Sequence, residues 1–205
     1  MKRIRMVKMM RYSAGMTSKI FGFVESKKMA ELMIAGNSKE ELTQIIEVDN
    51  LYSLRDAKRL RRTINYIYER LSALPDEAVH IIASSDIEVG KILVLIGIMR
   101  TDALFCEFVY EVYRMKKILG ERAIENRDLN DFFDEKANQS EEVAGWSEAS
   151  VKKLKNVYIR NLVDAGLLED AKNRNVKNII LSSKVEKMLI DYDMETYLKA
   201  VKGER

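Results

Sequence analysis

One stretch constrains this chain more than any other: Ser140 to Ser182, SEEVAGWSEASVKKLKNVYIRNLVDAGLLEDAKNRNVKNIILSS. Ser147 is a good N-cap for a helix running to Ala165, because its hydroxyl can accept from a backbone N–H left unpaired in the first turn. Gly166 then ends the helix, since glycine enters the left-handed region without a Cβ penalty, and Leu167 can fold back on the last turn. Val151, Leu154, Tyr158 and Leu162 recur at i, i+3, i+7 and i+11, which makes one apolar stripe. Lys153, Asn156 and Arg160 point the other way with Lys152 on the flank, a face suited to phosphates or base edges. Beyond the glycine, Leu167–Leu168 and Ile179–Leu181 read as two short strands of a hairpin. The intervening Ala171 to Asn178 carries Lys172, Arg174 and Lys177 and no acid. Helix, glycine, strand, basic loop and strand in that order predict the second half of a winged helix with a basic wing. An ordinary amphipathic helix followed by a solvated hairpin is the plainer alternative.

The remainder of the chain suits a helical setting. Of 205 residues 33% are charged, one is proline and nine are glycine, a balance that helices accept well. A chain of this length buries enough surface to fold without staples. Cys106 is the only cysteine, so a disulfide within the chain and a thiolate metal cluster are both excluded, and a reducing cytoplasm is the expected location. The longest apolar run, Ile92 to Met99, is eight residues against roughly 20 for a bilayer span. The start, MKRIRMVKMMRYSAGM, is positive but has neither the apolar core nor the cleavage site of a signal peptide. It reads as a basic arm, with Lys2, Arg3, Arg5, Lys8 and Arg11 available to a phosphate backbone.

The net charge of +3 conceals a segregation. Residues 1–75 hold 15 Lys and Arg against 8 Asp and Glu, residues 76–150 hold 8 against 16, and residues 151–205 hold 12 against 8. Basic ends around an acidic middle point to a polyanionic partner at the ends.

Along the chain, a first helix is expected over Phe23 to Ala35, stopped by Gly36, and SKEE at Ser38–Glu41 forms a capping box for a short second helix. Ser53 opens a third, long helix ended by Pro75. Its buried face is Leu54, Ala57, Leu60, Ile64, Ile67 and Leu71, while Arg55, Arg59, Arg62 and Tyr66 share the opposite side with Lys58 beside them. Two helices followed by a basic one resemble a helix-turn-helix. Ser85–Glu88 is a second capping box, and Ile87 to Met99, apolar nearly all round, marks a helix buried within a bundle. Ala103 to Leu119 is amphipathic, with Phe105, Phe108, Val109, Val112 and Met115 inward. Residues 121–127 read as a linker, Asp128 as the cap of the next helix, and SKVE from Ser183 as the cap of a last helix to about Val201. The expected division is therefore 1–120, a helical domain with a basic helix-turn-helix-like part and an apolar hub, and 121–205, a winged-helix-like domain. The fold class is all-α, a helical bundle with helix-turn-helix character plus a small β-hairpin.

Catalytic patterns are missing. His80 is the sole histidine, and neither a phosphate-binding glycine loop nor a metal-binding CxxC or HxxxH spacing occurs. No enzyme, cofactor or metal is expected.

Four stretches together resemble a known family: YSAGMTSKIF (12–21), RRTINYIYERLSALP (61–75), MRTDALFCEFVYEVY (99–113) and DLNDFFDEKANQSEEVAGWSEASVKKLKNVYIRNLVDAGLLED (128–170). They resemble the BrxA family, small accessory proteins of BREX phage-defence systems. The resemblance covers nearly the whole chain and is most specific around Trp146 and the AGLLED turn. It implies an all-helical bundle similar to the antitermination factor NusB, with helix-turn-helix character and nucleic-acid binding without catalytic residues. An older inner-membrane label for such sequences conflicts with the short apolar run. The expected function is non-enzymatic, largely sequence-tolerant binding of double-stranded DNA within a phage-defence system, through Arg55, Lys58, Arg59, Arg62, Tyr66, Lys152, Lys153, Asn156, Arg160, Lys172, Arg174 and Lys177. Lysine and arginine dominate that set, so phosphate contacts outweigh base readout. Other proteins of the defence system are a second class of partner. An adaptor whose acidic middle docks such a protein, and RNA binding of the antitermination kind, are the alternatives.

Overall fold

The computed structural model describes residues 11–84 and 87–204. The basic arm up to Lys8 and the proposed cap at Ser85 lie outside them. The chain divides into two compact units, residues 19–97 and residues 98–204 together with 11–18, the division falling inside one helix after Gly97.

The first unit contains α1 (Phe23–Ile34), α2 (Lys39–Val48), α3 (Ala57–Ser72), α4 (Asp76–Ser84) and most of α5 (Ile87–Thr101). The SKEE box forms as read: Glu41 N–H donates to Ser38 Oγ, and Ser38 N–H donates to Glu41 Oε2 at 2.7 Å. The long third helix starts four residues later than the sequence suggests. Asn50 and Ser53 both adopt left-handed backbone angles in a turn, and Asp56 caps the helix by accepting from Arg59 N–H at 2.5 Å. Ser53 therefore caps nothing, and Arg55 sits before the helix rather than on it. Leu60, Ile64, Ile67 and Leu71 are buried as expected. Within this unit α1 packs on α3 and α4, and α2 packs on α3. A Cβ at Gly97 would lie 2.8 Å from the Arg70 carbonyl oxygen, so glycine is what lets α5 approach the α3 backbone this closely.

The second unit opens with a 3₁₀ turn (Ala14–Ser18) and continues through one helical stretch of three parts. These are α6 (Ala103–Phe108), a π-helical segment (Val109–Tyr113) and α7 (Arg114–Ile118). Then come α8 (Asn126–Gln139), the single turn α9 (Glu141–Ala144), α10 (Glu148–Asp164), α11 (Ser183–Asp191) and α12 (Glu195–Lys202). Five rings make the core: Phe105, Phe108, Phe132, Phe133 and Tyr158, with neighbouring centroids 5.0 to 5.6 Å apart. Edge-on and tilted pairs of this kind are each worth about 0.5–1.5 kcal/mol beyond burial. Tyr158 touches three of the others, which fixes the rotation of α10 about its axis.

Several helix ends differ from the sequence reading. The α8 helix is capped at Glu125, whose N–H donates to Asp128 Oδ2 at 2.6 Å, so Asp128 is the reciprocal partner and not the cap. Ile124 is buried, and the supposed linker around it is bonded into the unit. Ser182 rather than Ser183 caps α11, and the last helix breaks in two at Tyr192–Met194, where Asp193 is left-handed. Met115 is 39% exposed instead of inward.

The predicted winged-helix hairpin does not form. Among the described residues no strand is present, and the pairing reduces to two isolated antiparallel bridges, Leu168 with Val176 and Ala123 with Asn175. The cause is Asp170. Its carboxylate accepts from the N–H groups of Lys172 and Asn173, each at 2.7 Å, and Arg174 takes φ +56°. The chain thus reverses within a few residues, returning so that Lys177 N–H meets Leu167 O at 2.9 Å. Ile179–Leu181 runs on past the register a hairpin needs, and Ile180 is 92% exposed.

Candidate nucleic-acid interface

Two basic surfaces emerge, one in each unit. On α10, Ser147 caps the N-terminus as expected, accepting from Ser150 N–H at 3.2 Å. Gly166 at φ +81° closes the far end, with Leu167 N–H donating to Leu162 O at 2.8 Å. Leu154, Tyr158 and Leu162 are fully buried. Lys152, Lys153, Asn156 and Arg160 are exposed and, at 3.6 residues per turn, fall within an arc of about 100°. Only three residues, 145–147, join α9 to α10, which is the turn length of a helix-turn-helix.

The loop after α10 adds to this unit's basic surface in part. Lys172 and Lys177 are exposed. Arg174 is held: its Nη1 donates to Asn126 Oδ1 at 2.7 Å and its Nε to Ala171 O at 3.3 Å. It serves the shape of the loop before it can serve a ligand. The hydrogen bonds from Lys172 and Asn173 N–H keep the Asp170 carboxyl below the usual carboxylate range, so the turn keeps its anionic anchor at neutral pH. Sequence reasoning missed Arg122, which is exposed and joined to the loop through the 2.8 Å bond from Val176 N–H to the Arg122 carbonyl. The alternation of Arg122 with the buried Ile124 is a period-two signal, and it was hidden inside an apparent linker.

On α3, Lys58, Arg59 and Arg62 are exposed, and Arg55 stands exposed just before the cap. They surround the helix N-terminus, whose own partial positive charge adds to theirs. Arg61 is committed elsewhere. It pairs with Glu47 at 2.6 Å, and that hydrogen bond and charge hold its guanidinium above the usual range. Tyr66 does not belong to this surface. It is 5% exposed because the segment Lys19–Phe21 crosses it: Ile20 N–H donates to its hydroxyl at 3.3 Å. The Arg70 guanidinium lies 4.7 Å from its ring and donates to the Ile20 and Phe21 carbonyls. The buried arc of α3 is wider than the aliphatic stripe indicates, and the basic face is confined to the first turns.

No helix among the described residues is long and apolar enough to cross a membrane. Nor do any three His, Cys, Asp or Glu side chains among them gather as a metal would require. His80 is exposed. Burial pushes the Cys106 thiol up to about 12, with the carboxylates of Glu107, Asp102 and Glu111 adding to the effect, which leaves it an inert core residue.

The all-helical fold is one already seen in a crystal structure of an uncharacterized protein from Magnetospirillum magneticum. It superposes with a TM-score of 0.80 at 20% identity, covering 95% of this chain and all of that one. The family model for BrxA matches residues 10–193, and the chain belongs to that family. A relative from Bacillus cereus (strain H3081.97), named BREX protein BrxA, is 33% identical over 196 residues, which is 96% of this chain and 94% of the relative. Another of the same name from Escherichia coli O9:H4 (strain HS) is 20% identical over 88% of this chain and 85% of its own length.

Proposed function

We propose that this chain is a non-enzymatic, largely sequence-tolerant double-stranded DNA-binding component of a BREX phage-defence system. The observation that carries the reading is a set of cations with no anion to serve. Arg55, Lys58, Arg59, Arg62, Lys152, Lys153, Arg160, Lys172 and Lys177 are exposed and have no ion pair among the described residues. A folded chain gains little from leaving so many charges unpaired on a few turns of helix, whereas a phosphate backbone uses them all. Asn156 is the one member with donor and acceptor chemistry for a base edge, so positioning on phosphates outweighs sequence reading. Family membership supports the defence context. The RNA alternative gains nothing from these surfaces, which present no exposed aromatic platform for splayed bases.

A duplex titration at several salt concentrations, beside single-strand and RNA competitors, tests the reading. Log K should fall linearly against log salt with a slope of about −0.9 per phosphate contact. A flat salt response, or no duplex binding at about 50 mM salt, overturns it.

A further inference from the structure

Beside its basic surface, the second unit holds a groove of opposite character between the α6–α7 stretch and α8. Its floor is apolar, made by Phe132 with Met115 and Leu119, the last 63% exposed. Its rim is acidic: Glu111 from one side, Asp131 and Glu135 from the other. The cavity is about 260 Å³, below the roughly 300 Å³ at which small-molecule sites begin, and so suits one long side chain rather than a cofactor.

The charge of this groove is not balanced within the chain. Two lysines, each nearly buried, lie in its walls, and both are fully engaged. Lys116 bonds Glu121 and, at 2.8 Å, Asp128. Lys136 bonds Glu107 at 2.6 Å and Glu111 at 2.8 Å. Burial opposes the charge of each lysine, yet the hydrogen bonds to their carboxylates override it and hold both ammonium groups above the usual lysine range. Asp131 has no cation among the described residues, and Glu135 accepts only from the Gln139 amide. Burial pushes the Glu111 carboxyl up, Lys136 pulls it down, and Glu107 and Glu135 push it up again. A further cation near the rim would relieve that crowding.

We propose that this groove docks a basic segment of a partner protein. One lysine or arginine lays its methylene stem against Met115, Leu119 and Phe132 and its charged head between Asp131 and Glu135, and a neighbouring aliphatic residue covers Leu119. Long cationic side chains are suited to this because they bury their stems while keeping the head polar. Charge decides the class of occupant. DNA is repelled by the rim, and a free polyamine has nothing to set on the exposed leucine. The inference is independent of the DNA-binding reading, because the rim and floor residues lie outside the cations that reading uses.

The test uses the full chain and two labelled probes, a lysine–leucine peptide of helical spacing and a lysine–serine peptide of equal length and charge, read by fluorescence polarisation. The lysine–leucine peptide should bind more tightly by about tenfold, or about 1.4 kcal/mol. D131N combined with E135Q should weaken it by a similar factor, and so should L119S, with melting temperature and duplex affinity unchanged in both. Equal binding of the two peptides would show indiscriminate charge attraction and overturn the proposal. Wild-type affinity in the variants, or displacement of the peptide by an equal concentration of spermine, overturns it as well. So does a wild-type oligomer that L119S dissociates, because the occupant is then a second copy.

Discussion

Helices α3 and α10 look alike in the sequence and differ in the fold. Each sets cations on one arc and aliphatic residues on the other. In α10 the separation holds along its length: Leu154, Tyr158 and Leu162 are inside while Lys152 to Arg160 stay outside. In α3 it fails after two turns, because the Lys19–Phe21 segment covers Tyr66 and takes Arg70 into its hydrogen bonding. Periodicity describes the helix, but the segments laid across it decide which part of a polar face reaches solvent.

The sharpest break between the two arcs of α10 is energetic. Leu154→Ala should cost about 2–5 kcal/mol through a core cavity, seen as a fall in melting temperature. Replacing Lys152, Lys153 and Arg160 together by Ala should stay within about 0.5 kcal/mol per site. A comparable loss in the cation variant would make those residues structural and erase the distinction.

Binding compares the helices directly. Removing Lys152, Lys153 and Arg160 should reduce the salt slope by up to about 2.7, and removing Arg55, Lys58, Arg59 and Arg62 by up to about 3.6, if every side chain meets a phosphate. The measurement is the duplex titration on each variant. A slope changed by one set and untouched by the other assigns the contact to a single unit.

A smaller effect sharpens the contrast at Tyr66. Tyr66→Phe deletes the acceptor for Ile20 N–H and should cost about 0.5–1.5 kcal/mol, with duplex affinity at neutral pH unchanged. Weaker binding without weaker folding would return Tyr66 to the interface. The mildest change is at Tyr158, whose hydroxyl is buried without a hydrogen-bond partner. Phe in its place should raise stability by about 1 kcal/mol, and a lower melting temperature would point to a bound water.

The helical fold and most helix ends were legible because they rest on local chemistry. Ser38 and Glu41 cap each other, Ser147 caps α10, and Gly166 turns left-handed, all through neighbours in the chain. The hairpin was not, because Leu167–Leu168 and Ile179–Leu181 satisfy strand propensity equally well in either outcome. The choice is made by the Asp170 carboxylate gathering two N–H groups, and by Arg174 finding Asn126 across 48 positions of sequence. For the same reason the cations of α10 could be read as a face, while the fates of Arg174, Tyr66 and Arg122 depended on partners remote along the chain.

The π-helical segment at Val109–Tyr113 gives this chain an unusual sensitivity to the length of one helix. Hydrogen bonds from i to i+5 store an extra residue in a turn. Loss of a single codon there would let the stretch anneal into ordinary α-helix, with everything beyond it rotated by about 100°. Lys116 would swing away from Asp128, and Met115 and Leu119 would leave the groove, although the helical content would hardly change. An in-frame deletion that circular dichroism would pass as silent would re-aim a whole wall of the molecule.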